Sequence, residues 1–165
     1  MQISFIGGGL MAEAIITGIL GATLAGPRDI KVGEPLELRR AQLTKKYGIS
    51  THSNNIKMIE NVDMIVIAVK PPNLPNVMGE ISKHLSDNQT VMSIVAGARL
   101  NTLVTGLDHP AIIRVMPNTP AQIGEGMIVW TSSKEVAESK IAAGRDILRT
   151  LGEEYFVEDE KLMDM

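Results

Sequence analysis

Gly7, Gly9 and Ala12 stand in the spacing Gly-x-Gly-x-x-Ala, and the chemistry that spacing fits is the grip on a dinucleotide pyrophosphate. The first glycine permits a turn that a Cβ obstructs, and the second lets backbone approach the phosphates. The third, small residue lets a helix pack against a strand. Leu10 and Met11 follow at the start of that helix, whose free N–H groups and positive dipole end attract an anion. Lys70 and Asn118 are the polar groups at the ends of later apolar runs. A lysine in such a place is either a solvated strand end or a functional group, and an asparagine can also close an Asx turn. His52, His84 and His109 are scattered without ligand spacing. Neither a Ser-His-Asp arrangement nor a carboxylate pair stands out, and no metal site is expected.

The elements that must position these groups follow from periodicity. Ile3, Phe5 and Ile6 make a short buried strand. Ala12, Ile15, Ile16, Ile19 and Leu20 make one helical stripe. A second strand spans 29–33. Pro35 and the spacing of Leu36, Leu43 and Tyr47 predict a helix to about Tyr47 that Gly48 closes. A minimal strand at 49–51 precedes a short helix capped by Asn54 or Asn55. Met64 to Val69 is apolar on both faces and therefore central, and Pro71-Pro72 forbid its continuation. A helix over 74–85, a strand over 90–95, a helix over 100–107 and strands over 111–116 and 126–130 follow. Ser132-x-x-Glu135 reads as a capping box opening a helix through Ala137, Ile141, Gly144, Leu148 and Leu151, with Gly152 closing it and 154–157 as an edge strand. This alternation predicts an α/β fold: a doubly wound, mostly parallel Rossmann-type sheet with helices on both faces and ligands at the strands' carboxyl ends.

A length of 165 residues supports one good core. Sixteen basic and nineteen acidic residues leave a net charge of −3, which argues against a nucleic-acid or anionic-membrane partner. The absence of cysteine excludes disulfides and thiolate chemistry. There is no charged leader before the first apolar residues, and no apolar run approaches the roughly 18 residues of a membrane span. A cytoplasmic protein is expected. With one Trp, two Tyr and two Phe, aliphatic residues and Met must fill the core, and base-stacking platforms are not expected.

Four strings together resemble pyrroline-5-carboxylate reductase: Gly7-Gly8-Gly9-Leu10-Met11-Ala12, Ala68-Val69-Lys70-Pro71, Ser93-Ile94-Val95-Ala96-Gly97 and Arg114-Val115-Met116-Pro117-Asn118-Thr119-Pro120. That family reduces a cyclic imine to L-proline with NADPH or NADH, the last step of proline biosynthesis. The resemblance covers the whole chain. It implies that Gly7, Gly9, Leu10 and Met11 meet the pyrophosphate, with Glu34 at the adenosine ribose and Asn55 near the same end. Ala68, Val69, Lys70 and Pro71 would line the nicotinamide ribose. Ala96, Gly97, Met116, Pro117, Asn118 and Thr119 would border the nicotinamide and the substrate, with Lys70 and Asn118 as catalytic candidates.

The implied cofactor is NADP or NAD. Many family members carry a small hydroxyl or amide residue near Glu34; its carboxylate accepts from ribose hydroxyls and repels a 2′-phosphate, which favours NADH. Arg39 and Arg40 follow closely enough for one to cover a phosphate. Residues 158–165 resemble the run-in to a C-terminal helical domain that carries the dimer interface and much of the imino-acid site. The expected division is thus a dinucleotide-binding domain over 1–157 and the start of a truncated second domain over 158–165, with low activity for this chain alone and a homo-oligomer formed through the missing part. Two alternatives stay open: another NADP-dependent reductase of the hydroxyacid-dehydrogenase type, and a non-catalytic dinucleotide-sensing module.

Overall fold

The first strand sets the layout. In the computed structural model, which describes residues 1–164, β1 (Ile3–Ile6) pairs in parallel with β2 (Ile30–Gly33) on one side and β4 (Met64–Ile67) on the other. Beyond β2 lies β3 (Ser50–His52); beyond β4 lie β5 (Thr90–Ser93), β6 (Ile112–Met116), β7 (Gly126–Ser132) and β8 (Gly152–Phe156). The eight strands run in the order β3-β2-β1-β4-β5-β6-β7-β8. The first six are parallel; β7 turns antiparallel to β6, and β8 runs with β7. The chain winds outward from β1 in one direction and from β4 in the other. A crevice therefore opens at the carboxyl ends of these two neighbours.

Both faces are covered, because every crossover between parallel strands carries a helix. In β4, Met64 and Val66 pack on the side of α1 (Leu10–Gly21) and α6 (Glu138–Arg149), in one core with Ile15, Ile16, Ile19, Ile147 and Leu148. Ile65 and Ile67 face the other way, toward α3 (Asn55–Ile59), α4 (Leu74–Ile81) and α5 (Leu100–Leu107), and share a core with Ile59, Leu74, Ile81, Leu103 and Leu107. An all-apolar strand is what burial on both faces requires. The remaining helix, α2 (Glu37–Tyr47), joins β2 to β3 and buries Leu43. The fold is the doubly wound, mostly parallel sheet that the alternation predicts.

Several local expectations differ from the structure. The Ser132–Glu135 capping box does not form: Ser132 ends β7, and α6 begins at Glu138 with no side-chain cap. The neighbouring Ser133 hydroxyl instead donates to Pro110 O at 2.5 Å and accepts from Ile112 N at 2.9 Å, closing the far end of the β6–β7 pair. Gly152 does not close a helix. It opens β8 at φ +142°, where a Cβ would strike the backbone of Gly126. The predicted helix over 74–85 leaves the α form after Ile81 for a 3₁₀ turn at Ser82–His84. Asn54 is the cap of α3, its Oδ1 accepting from Ile56 N and Lys57 N. At the carboxyl terminus Glu160–Asp164 form a 3₁₀ turn with Met163 buried. Met165, the last residue of the expected run-in, lies outside the described residues.

Candidate functional site

A cleft of about 710 Å³ lies across the carboxyl ends of β1, β4, β5 and β6. Gly9, Leu10 and Met11 come to it from the β1–α1 turn, and Ala68, Val69, Lys70 and Pro71 from the end of β4. Ala96 and Gly97 follow β5, and Met116 and Pro117 end β6. Eleven of the residues singled out in the sequence thus line one space. Each strand stops where it does for a local reason: Gly7 and Gly97 take positive φ, while Pro71 and Pro117 cannot continue a ladder.

The three consecutive glycines are needed for three different reasons. Gly7 sits at φ +95°, and a Cβ there would stand 2.7 Å from Ala68 O. Gly8 is packed, its absent Cβ facing Leu43 Cδ1 at 2.8 Å, Glu34 Oε2 at 3.2 Å and Val32 Cγ1 at 3.3 Å. Gly9 has nothing within 4 Å of its Cβ position. The packing of the fold therefore does not require a glycine at position 9. Gly9 is also the N-cap of α1, with no side-chain cap bond, so the first turn leaves N–H donors for a ligand.

A second groove of about 580 Å³ adjoins the first, lined by Gly8, Gly9, Glu34, Leu36, Glu37, Leu38, Arg39, Gln42 and Lys70. Gly9 and Lys70 border both spaces, so the two form one elongated site with a cation at its waist. Glu34 reaches this groove only by its edge, being 8% exposed. Its Oε2 accepts from Gly8 N at 2.8 Å and its Oε1 from Leu36 N at 3.2 Å. Arg39 Nε donates to Gly8 O at 2.6 Å, and its Nη2 to Glu13 Oε2 at 2.6 Å. Arg40 Nη1 donates to the backbone carbonyls of Glu34 and Pro35. Glu13, in the first turn of α1, also accepts from Tyr47 Oη and Lys46 Nζ. The Tyr47 hydroxyl, with Arg39 next, holds its carboxyl at about 2, well below its ordinary 4.5.

The remaining sequence candidates lie outside the cleft wall. Gly7 is beneath it, its N–H bonded to Gly33 O. Asn55 packs its Oδ1 against Gly33 and donates from Nδ2 to Glu80. Asn118 accepts from Met127 N at 2.9 Å and borders a separate depression at the start of β7 and β8. Thr119 opens the 3₁₀ turn that follows.

Sequence reasoning missed Ile94, Val95, Arg114 and Val115 as lining residues, and it gave Gly8 no role of its own. Arg114 is the notable omission: it is 2% exposed inside an apolar strand. Its guanidinium pairs with Glu160 at 2.7 Å and Asp164 at 2.8 Å. The bond from Arg114 holds the Asp164 carboxyl below the usual range. The one available signal was the charge itself, an arginine in an otherwise apolar strand.

This arrangement suits an elongated ligand with an anionic middle. A dinucleotide is a ligand of that shape and charge, and the uncapped first turn at Gly9, Leu10 and Met11 could hold its pyrophosphate. Among the described residues no cluster of three or more His, Asp or Glu could hold a metal ion, and no helix is long and apolar enough to cross a membrane.

Residues 2–97 match the family described as NADP oxidoreductase, coenzyme F420-dependent. A pyrroline-5-carboxylate reductase of Synechocystis sp. is 35% identical over 164 residues, 99% of this chain and 61% of that protein. The structure of a pyrroline-5-carboxylate reductase from Coxiella burnetii superposes with a TM-score of 0.94 at 28% identity, covering 99% of this chain and 61% of the other. A Plasmodium falciparum pyrroline carboxylate reductase with NADP bound does so with a TM-score of 0.84 at 26% identity, over 98% and 59% of the two chains. The chain therefore spans about three-fifths of the length of these relatives.

Proposed function

This chain belongs to the NADP oxidoreductase, coenzyme F420-dependent, family, and from that premise we propose that it is the cofactor-binding half of a pyrroline-5-carboxylate reductase. The reaction is reduction of 1-pyrroline-5-carboxylate to L-proline with NADPH or NADH. One observation carries the dinucleotide part: the open space at Gly9, at an uncapped helix end where two grooves meet. The substrate part rests on likeness to reductases that match nearly the whole of this chain.

In this reading the bound nicotinamide supplies the hydride, and the protein supplies orientation and electrostatics. The first-turn N–H groups of α1 and the Lys70 ammonium take the pyrophosphate charge. Ala68, Val69 and Pro71 form one wall for the nicotinamide ribose, and Ala96, Gly97, Met116 and Pro117 form the other. Asn118 holds the β7 start through Met127 and shapes the loop without facing the cleft. Glu34 and Asn55 keep the adenosine end in shape. A protonated imine is already electrophilic, so the reaction needs no protein nucleophile. Residues 1–157 are the dinucleotide domain, and 158–165 begin a helical domain that completes the imino-acid site and makes the homo-oligomer. The setting is the cytoplasm.

Calorimetric titration of this chain with NADPH and NADH, beside a steady-state reductase assay, tests the proposal. Binding of a dinucleotide with slow or no turnover is expected, since orienting a reacting pair is worth about 7–11 kcal/mol in the best intramolecular cases and half a site forfeits most of it. Failure to bind either cofactor overturns the dinucleotide reading. Near-normal turnover overturns the assignment of substrate contacts to a second domain.

A further inference from the structure

The Gly8 backbone is held from both sides by side chains that reach it across the first crossover. Its N–H donates to Glu34 Oε2 at 2.8 Å, and its C=O accepts from Arg39 Nε at 2.6 Å. These bonds fix two successive peptide planes, the one joining Gly7 to Gly8 and the one joining Gly8 to Gly9. A trans peptide points its C=O and N–H in opposite directions. Drawing Gly8 C=O toward Arg39 therefore turns Gly9 N–H to the opposite side of the loop. Arg39 is itself held by Glu13, and Glu34 has its second oxygen on Leu36 N. The floor beneath is closed by Leu43 and Val32.

We propose that Glu34 and Arg39 are positioning residues that lock the glycine loop and aim its N–H groups at the pyrophosphate, so that Glu34 supports NADH and NADPH alike rather than selecting between them. The inference rests on the dinucleotide reading above. A carboxylate 8% exposed, with each oxygen turned to a backbone N–H, presents little surface to ribose hydroxyls. Releasing it to meet them would leave Gly8 N–H buried and unpaired.

The test is titration of NADH and NADPH into the parent chain, Glu34→Ala, Glu34→Gln and Arg39→Ala. Glu34→Ala and Arg39→Ala should each weaken both cofactors about tenfold, the loss of one charge-assisted hydrogen bond, with the ratio of the two dissociation constants unchanged. Glu34→Gln should recover most of the loss, because its amide oxygen can still accept from Gly8 N. Should Glu34→Ala fail to unfold cooperatively, Glu34→Gln and Arg39→Ala carry the same comparison. Loss confined to NADH, or a gain in NADPH affinity, would return Glu34 to the ribose and overturn the proposal. Lowered stability with unchanged affinity for both cofactors would overturn it too, by making the lock merely structural. A parent chain that binds neither cofactor overturns the dinucleotide reading first, and this inference with it.

Discussion

Arg114 and Glu160 lie 46 residues apart in sequence and meet at 2.7 Å, joining β6, the last strand along the cleft, to the last described turn of the chain. Arg114 is buried, while Glu160 and Asp164 keep about a quarter of their side-chain surface in water. The same Glu160 oxygen accepts from Leu100 N at 2.6 Å, so α5 shares the anchor. Arg114→Met keeps much of the volume and removes the charge. The loss should fall between that of exposed and buried pairs, about 1–3 kcal/mol. Urea unfolding at constant m-value measures it. Arg114→Lys should fall between the parent and Arg114→Met, since an ammonium lacks the fork that serves two carboxylates at once. No measurable change in Arg114→Met would mean that the terminal turn does not depend on the pair.

The glycine turn separates folding from binding by position. Gly7→Ala forces a Cβ into a positive-φ residue against Ala68 O and should cost about 1–3 kcal/mol of stability. Gly9→Ala meets open space and should leave stability within about 0.5 kcal/mol. In the proposed reading its methyl group would stand in the pyrophosphate's approach, so dinucleotide affinity should fall, and Gly9→Val should abolish it. Thermal unfolding without ligand, paired with titration, reads both effects. Equal affinity in Gly9→Val and parent would remove the turn from the site.

What the sequence showed and hid follows the range of the interactions. The β1–Gly7–α1 unit was legible because an apolar run, glycines and a helical stripe stand side by side. The central place of β4 was legible because Met64 to Ile67 offer no polar face. Gly152 was misread because its reason is Gly126, on the neighbouring strand. The box at Ser132 failed because Ser133 bonds to Pro110 and Ile112, two strands' worth of chain away. Glu34 was visible at the end of β2, but its partner Gly8 is 26 residues earlier. Nothing in local spacing reveals that bond.

Acid should loosen the join between α1 and α2. The Glu13 carboxyl is held at about 2 in the folded chain against an ordinary 4.5. A lowered folded value favours the ionised form, so its contribution is complete above about 4.5 and is lost as the pH falls from there toward 2. Glu13→Gln should be less stable than the parent at neutral pH, and the gap should close through that acidic window. Denaturation midpoints at a series of pH values check the slope. A gap independent of pH would show that the bonds from Tyr47, Arg39 and Lys46 do not favour the charged form.

Lys70 and Asn118, both candidates from the sequence, should separate under mutation because the structure places them differently. Lys70 is exposed and borders both grooves beside Gly9, where the proposed dinucleotide would set its anionic middle. Lys70→Met should weaken NADH and NADPH about two- to fivefold, the scale of a solvent-exposed ion pair. The difference from the parent should shrink as salt rises, because the Debye length is only about 10 Å at 0.1 M ionic strength. Asn118 spends its side-chain oxygen on Met127 N at 2.9 Å. Asn118→Ala should therefore leave both dissociation constants within about twofold while costing about 1 kcal/mol of stability for the lost bond. Titration at low and high salt, with unfolding measured on the same samples, distinguishes the two roles. An affinity loss in Asn118→Ala as large as that in Lys70→Met would bring Asn118 back to the cofactor. A salt-independent loss in Lys70→Met would mean that the lysine acts through its aliphatic stem and not its charge.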